Sequence, residues 1–182
     1  MDAPSEIGTR SAGALSGMAP ALVAHMLPRR QPLDAYLRSP VDRWTAGKGW
    51  LHFCASRPAV AGAVLWDALS ASALEELLAC ADAALEHLPT PHVSFVDVAR
   101  SRAAEPACYP DAAAYVARNR DRLSARVAAF AVVRPIGMLG AVTEGFFRVM
   151  AAPYVVETFA DRSDALRWLG SDALDSVVDE LE

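Results

Sequence analysis

Apolar residues recur along this chain in two alternating rhythms. Gly49 to Ala55 and Val60 to Trp66 are near-continuous apolar runs, separated by Ser56-Arg57-Pro58. Ser and Pro favour turns, so the pair reads as a β-hairpin. Leu74, Leu77, Leu78, Ala81, Leu85 and Leu88 then recur at helical spacing, while Glu75, Glu76, Asp82 and Glu86 take other faces. Ser72-Ala73-Leu74-Glu75 fits a capping box at the start of this helix, and Pro89 ends it. Before the hairpin, Pro32 to Leu37 forms a short helical turn, stopped at Ser39-Pro40 because a residue preceding proline avoids the α region.

After Pro89 the rhythms alternate regularly. His92 to Val98 is a strand, and Pro110-Asp111 opens a helix running to about Arg126, since proline at the first helical position lacks only an amide that would be unpaired anyway. Phe130 to Val133 is a strand. Gly137 to Met150 is a helix with Leu139, Val142, Phe146 and Val149 on one side. Tyr154 to Phe159 is a strand, Asp161 caps a helix that Gly170 stops, and Ser171 opens a last acidic helix to Glu182. Strand and helix alternating at this spacing imply right-handed parallel crossovers. The predicted class is therefore α/β, a mixed five-strand sheet with an N-terminal antiparallel hairpin followed by parallel βαβαβ, flanked by helices. Residues 1 to 30 have no sustained period and read as a flexible leader, residues 31 to 170 as the domain, and residues 171 to 182 as an acidic helix or a linker toward a further C-terminal domain.

Composition narrows the function. The chain has 182 residues, 53% hydrophobic, with a formal net charge of −5 and Lys48 as its single lysine. Arginine so far ahead of lysine, with alanine at about a fifth of the residues, suggests a GC-rich bacterial genome. No basic block is present to neutralise a run of phosphates, so nucleic acid is not an expected partner of this stretch. No run approaches the ~18 apolar residues of a membrane span. The first residues carry Asp2 and Glu6, and Pro20 and His25 interrupt the apolar piece that follows, which is not the pattern of a secretory signal. A cytoplasmic location is expected. Cys54, Cys80 and Cys108 are odd in number and sit in apolar sequence, as reduced buried thiols do. With no CxxC and no His-Cys cluster, neither a metal nor another cofactor is expected.

Chemistry, where present, is expected outside the carboxyl ends of the parallel strands. Asp97, Arg100 and Arg134 fall there, and the helix beginning at Gly137 offers amides to an anion. The strands bearing Asp97 and Arg134 are predicted to be neighbours, and Arg134 can pair with Asp97 or with an incoming anion. Asp97, Arg100, Arg134 and Gly137 are thus the candidate ligand or partner site, against the plainer reading of solvated charges at loop ends. His52 and His92 lie on strands without a partner pattern for catalysis and read first as structural. Gly137, Gly140 and Gly145 cost a helix about 1 kcal/mol each where they lie in its interior. Either a close approach of helix to sheet or a lipid or ligand slot under the helix explains them. Adjacent Phe146 and Phe147 point about 100° apart on a helix, so one of them is expected at a flank or exposed to a partner.

The segments Val132-Val133-Arg134-Pro135 with Gly137, Gly140 and Ala141, then Glu144 to Phe147, Ala152 to Val156, Phe159 to Asp161 and Ala165 to Gly170 form a pattern that resembles the SpoIIAA-like branch of the STAS fold. More narrowly, it resembles the domain preceding the DNA-binding half of some AraC-family bacterial regulators. Pro32 to Leu37, Trp50 to Cys54 and His92 to Asp97 look like the same domain. The resemblance implies a regulatory sensing or partner-binding module of such a transcription regulator, without enzymatic activity of its own. The alternative is a free-standing SpoIIAA-like protein that binds a protein partner, a small apolar ligand or a second copy of itself. Relatives that antagonise anti-sigma factors carry a phosphorylatable serine where this chain has Cys108-Tyr109-Pro110.

Overall fold

A computed structural model of the protein describes residues 30–171 and Val178. Helix α1 (Leu33–Arg38) leads into an antiparallel meander of β1 (Arg43–Gly47), β2 (Trp50–Ser56) and β3 (Ala59–Leu65). The chain continues through β4 (Ala68–Leu69), α2 (Ala71–His87), β5 (His92–Asp97), β6 (Ala103–Ala104), α3 (Cys108–Arg118) and α4 (Arg120–Arg126). It ends its described course with β7 (Val127–Val133), α5 (Met138–Val149), β8 (Val155–Phe159) and α6 (Arg162–Trp168). The main sheet has the order β1-β2-β3-β5-β7-β8, with β3, β5, β7 and β8 parallel and helices crossing between them. The predicted mixed α/β architecture is present, with its hairpin and its parallel crossovers.

Two features of the sheet differ from the sequence expectation. The sheet has six strands rather than five, because Arg43–Gly47 pairs with β2 from Cys54 to Trp50. That segment is short, holds a charge and a glycine, and buries only Thr45, so its pattern did not separate it from a loop. A second, two-stranded parallel ribbon joins β4 to β6. The helices also shift. The N-cap of α2 is Ser70, whose hydroxyl accepts from the Ala73 amide, rather than Ser72 two residues on. The expected helix from Pro110 starts earlier, at Cys108, and divides at Asn119, whose backbone and side-chain amides both donate to the Tyr115 carbonyl at the end of α3.

Alternation along β2 sorts the core into two sides. Leu51, Phe53 and Ala55 pack with Val60, Val64, Phe95, Ala131 and Val133, and α6 closes this side with Ala165 and Leu166. Phe53 lies across from Gly62, and a Cβ at Gly62 would sit 2.1 Å from the ring, so only glycine leaves the phenyl its place. Trp50 and Cys54 face the other way, toward Tyr36 of α1 and toward Leu77, Cys80 and Ala84 of α2. A third group, Leu85, Tyr115, Val116, Leu123 and Val127, joins α2 to α3 and α4.

The expected leader, residues 1 to 30, lies outside the described residues except for Arg30. Arg30 bridges to Trp44 and places its guanidinium 5.7 Å from the centre of the Trp44 ring. The expected last helix likewise lies outside the described residues except for Ser171 and Val178. Val178 is fully buried in the core group closed by α6.

Candidate functional site

An apolar cavity of about 270 Å³ lies between the sheet and helices α2, α3, α4 and α5. Its floor is the sheet face carrying Ala61, Ala63, Ser94, Val96 and Phe130, with His52 at one side. Leu74, Leu77 and Leu78 of α2 form a wall, and Tyr109, Ala112 and Tyr115 of α3 form another. Across from them stand Leu139, Thr143, Phe146 and Phe147 of α5. No residue lining the cavity is Asp, Glu, Lys or Arg.

The position of α5 follows from its sequence. Gly137, at φ +86°, turns the chain out of the loop after β7 into the helix. Gly140 lies so close to that loop that a Cβ would fall 1.9 Å from the Pro135 carbonyl oxygen. Close approach of backbone to backbone therefore explains Gly140, while a Cβ at Gly145 would meet nothing. The side of α5 turned to the cavity is Leu139, Thr143, Phe146, Phe147 and Met150, which corrects the predicted stripe. Val142 and Val149 face solvent instead, with Met138 on the same outer side and Ile136 just before the helix, the last two 86% and 92% exposed. Phe146 and Phe147 both line the cavity with their rings edge to face, centroids 5.3 Å apart, Phe146 also against Tyr109 and Phe147 against Phe130.

Polar groups around the cavity are few. His52 is buried, and its Nδ1 lies 2.7 Å from the hydroxyl of Tyr36, which lies 3.2 Å from Cys54 Sγ. No described residue bonds the other ring nitrogen, Nε2. Burial pushes the His52 pKa down to about 3, so the ring is neutral at physiological pH. His92 is pushed down to about 4, by burial first and by the Arg126 charge second. Burial raises the Tyr154 phenol to about 12. Thr143 and Ser101 spend their hydroxyls on the Leu139 and Leu65 carbonyls. Cys108 donates its thiol to the Leu69 carbonyl, and burial raises its pKa. A thiol held protonated in this way is a weak nucleophile. Cys54 and Cys80 are likewise raised to about 12 by burial.

The rim expected from the sequence is divided between the two faces. β5 and β7 are neighbours, and Asp97 pairs in register with Val133, so Asp97 and Arg134 do reach the same edge. Of the two partners open to Arg134, Asp97 is not the one it takes. Asp97 accepts from Arg162 Nε of α6 at 2.7 Å and from the Ala99 amide at 2.9 Å, on the packed side. Arg134 turns to the cavity side and pairs with Glu144 of α5 at 3.4 Å. The alternation of β5 explains this, because Asp97 shares its side with Phe95, over which α6 lies. Arg100 is exposed in the loop after β5, and Gly137 is exposed before α5. Among the described residues no three His, Cys, Asp or Glu side chains gather as a metal site, and no helix is long and apolar enough to cross a membrane.

Neither a protein-family model nor a curated protein matches the chain. Among solved structures it is similar to an uncharacterised protein of the DUF3478 family with a SpoIIAA-like fold from Shewanella loihica PV-4. The two share 18% identity over 65% of this chain and 90% of that one, with a TM-score of 0.49. The α/β class of the present chain rests on its own strand order and crossovers. What the sequence reading did not single out is the cavity as a whole and His52 as its polar point. The signal was present in Trp50-x-His52-x-Cys54, a polar residue on the inward side of a strand, and in the slot suggested by the glycines of α5.

Proposed function

We propose that this protein binds a small, predominantly apolar molecule in the cavity beneath α5 and acts as a binding or sensing module rather than through chemistry of its own. The observation that carries this reading is the cavity itself. Protein interiors are packed with few voids larger than a water molecule, and this sheet face leaves about 270 Å³ lined by uncharged side chains. Concave, mostly apolar sites with a few polar groups are where small molecules bind. The two buried histidines are held neutral, which suits recognition by hydrogen bonding. The anion-binding rim at Asp97, Arg100, Arg134 and Gly137 has less support, since Asp97 and Arg134 each face a charged partner already.

The regulatory reading implied by the AraC-type resemblance adds a protein partner to the same picture. The exposed apolar residues Ile136, Met138, Val142 and Val149, at or beside the helix that covers the cavity, favour it. A fluorescence titration tests the primary reading. N-phenyl-1-naphthylamine, an uncharged apolar reporter, should bind saturably with one molecule per chain, and Ala112→Phe, which projects a ring into the cavity, should weaken binding at least severalfold. Absence of saturable binding, or binding indifferent to Ala112→Phe, would overturn the assignment.

A further inference from the structure

The arrangement behind His52 specifies a property of the molecule that the cavity takes, an inference that rests on the cavity-binding reading above. Tyr36, His52 and Cys54 are all buried, and the Tyr36 oxygen lies 2.7 Å from His52 Nδ1 and 3.2 Å from Cys54 Sγ. Tyr36 has one proton to donate. An imidazole nitrogen is a far better acceptor than a thiol sulfur, and the shorter distance is the one to nitrogen. The Tyr36 O–H therefore donates to Nδ1, with Cys54 Sγ as the weaker alternative acceptor. A neutral imidazole whose Nδ1 accepts must carry its proton on Nε2. His52 lines the cavity, and no described residue uses Nε2.

We propose that His52 Nε2–H is the recognition donor of the cavity and that the ligand is a neutral, mainly apolar molecule bearing a carbonyl oxygen, such as a ketone, ester or amide. The acceptor follows from the tautomer that Tyr36 imposes. Neutrality follows from the lining, which holds no cation to meet a carboxylate and no anion to meet an amine, so either charge would be desolvated without a partner. Ser94 also lines the cavity, but its hydroxyl rotates and serves donor or acceptor alike, so it sets no preference.

The test uses the full chain with N-phenyl-1-naphthylamine as reporter, displaced in turn by acetophenone and by α-methylstyrene, which differ chiefly in a carbonyl oxygen replaced by a methylene group. His52→Phe should weaken acetophenone about fivefold, the worth of one net hydrogen bond, while leaving α-methylstyrene unchanged or tighter. Tyr36→Phe, which frees the ring to take the other tautomer, should weaken acetophenone selectively by a smaller factor, and it decides the matter if His52→Phe does not fold by circular dichroism. Ser94→Ala should shift both probes equally. Equal effects of His52→Phe on the two probes, or selectivity that follows Ser94 instead, would overturn the assigned donor while leaving the cavity reading intact. Failure of the reporter to bind saturably, or displacement by neither probe, would overturn both.

Discussion

On the α6 side of the sheet, Leu51, Phe53, Val64, Phe95 and Val133 meet Ala165 and Leu166 with almost no exposure, whereas on the side of α2 to α5 the same strands face a void. Both sides have helices and apolar side chains. The contrast lies in how the covering helix is held. Helix α6 is fixed at its start by Asp161, which accepts from the Ser163 and Asp164 amides, and is tied to β5 by the buried Arg162–Asp97 pair. Helix α5 has no side-chain cap; Phe147 meets Phe130 of β7, Phe146 meets Tyr109 of α3, and the Glu144–Arg134 pair that ties it to the end of β7 is partly exposed. One side is therefore closed by a capped and tethered helix, whereas the other leaves a cavity beneath a helix without a side-chain cap.

The largest effects should come from the filled side. Phe53→Ala removes a fully buried ring over Gly62 and should destabilise the protein by about 3 to 5 kcal/mol in urea unfolding. A loss below about 1 kcal/mol would show that this side collapses freely and is not tightly packed. Arg162→Ala leaves the Asp97 carboxylate, 3% exposed, with the Ala99 amide as its remaining partner. Removing one member of a buried ion pair typically costs about 3 kcal/mol or more. A parallel Arg134→Ala change, on the partly exposed pair with Glu144, should cost less than about 1 kcal/mol. Equal losses for the two arginines would erase the distinction between the two sides of the rim.

How much of this was legible in the sequence differs between the two sides as well. The parallel crossovers, the cap at Asp161 and the stop at Gly170 were readable because each depends on local pattern. β1 was not, because a five-residue edge strand with one buried position has too little alternation to stand out. Sequence placed Asp97 and Arg134 on one edge, since strand adjacency follows from the crossover rule. It did not show that they point to opposite faces, because residue 97 takes its side from β5 and Arg134 lies beyond the end of β7. The cavity was legible only as a slot suggested by glycines. A void is set by how far apart helices stand, and periodicity reports which residues face inward without reporting that distance.

The same enlargement, made on each side, sharpens the contrast. Ala131→Leu on β7 forces three extra carbons into the filled side, where Ala131 has no exposure, and should destabilise by about 1 to 3 kcal/mol. Ala112→Leu on α3 projects into the cavity, where space exists, and should leave stability unchanged or raise it by about 0.5 kcal/mol or more. It should also weaken reporter binding. Opposite signs in paired urea titrations are the expected result. Losses of the same size would mean that the cavity is already closed to new atoms in solution.

A pH dependence also distinguishes the cavity side, because His52 and His92 both line it. In the unfolded chain each ring has a pKa near about 6.5, whereas in the folded protein burial holds His52 near about 3 and His92 near about 4. Below about pH 6.5 the unfolded chain takes up protons that the folded protein refuses. The stabilising contribution is therefore fully present above that pH and is lost as pH falls toward the folded values. For His52, which is fully enclosed, the slope approaches about 1.4 kcal/mol per pH unit, and His92 adds to it in the same direction. Urea unfolding at pH 7, 6 and 5 should show stability falling more steeply in the wild type than in His52→Phe, whose phenyl ring has no proton to bind in either state. Identical slopes for the two proteins would mean that His52 is protonated in the folded state well above pH 3, and that its ring is not the neutral donor the Tyr36 hydrogen bond requires.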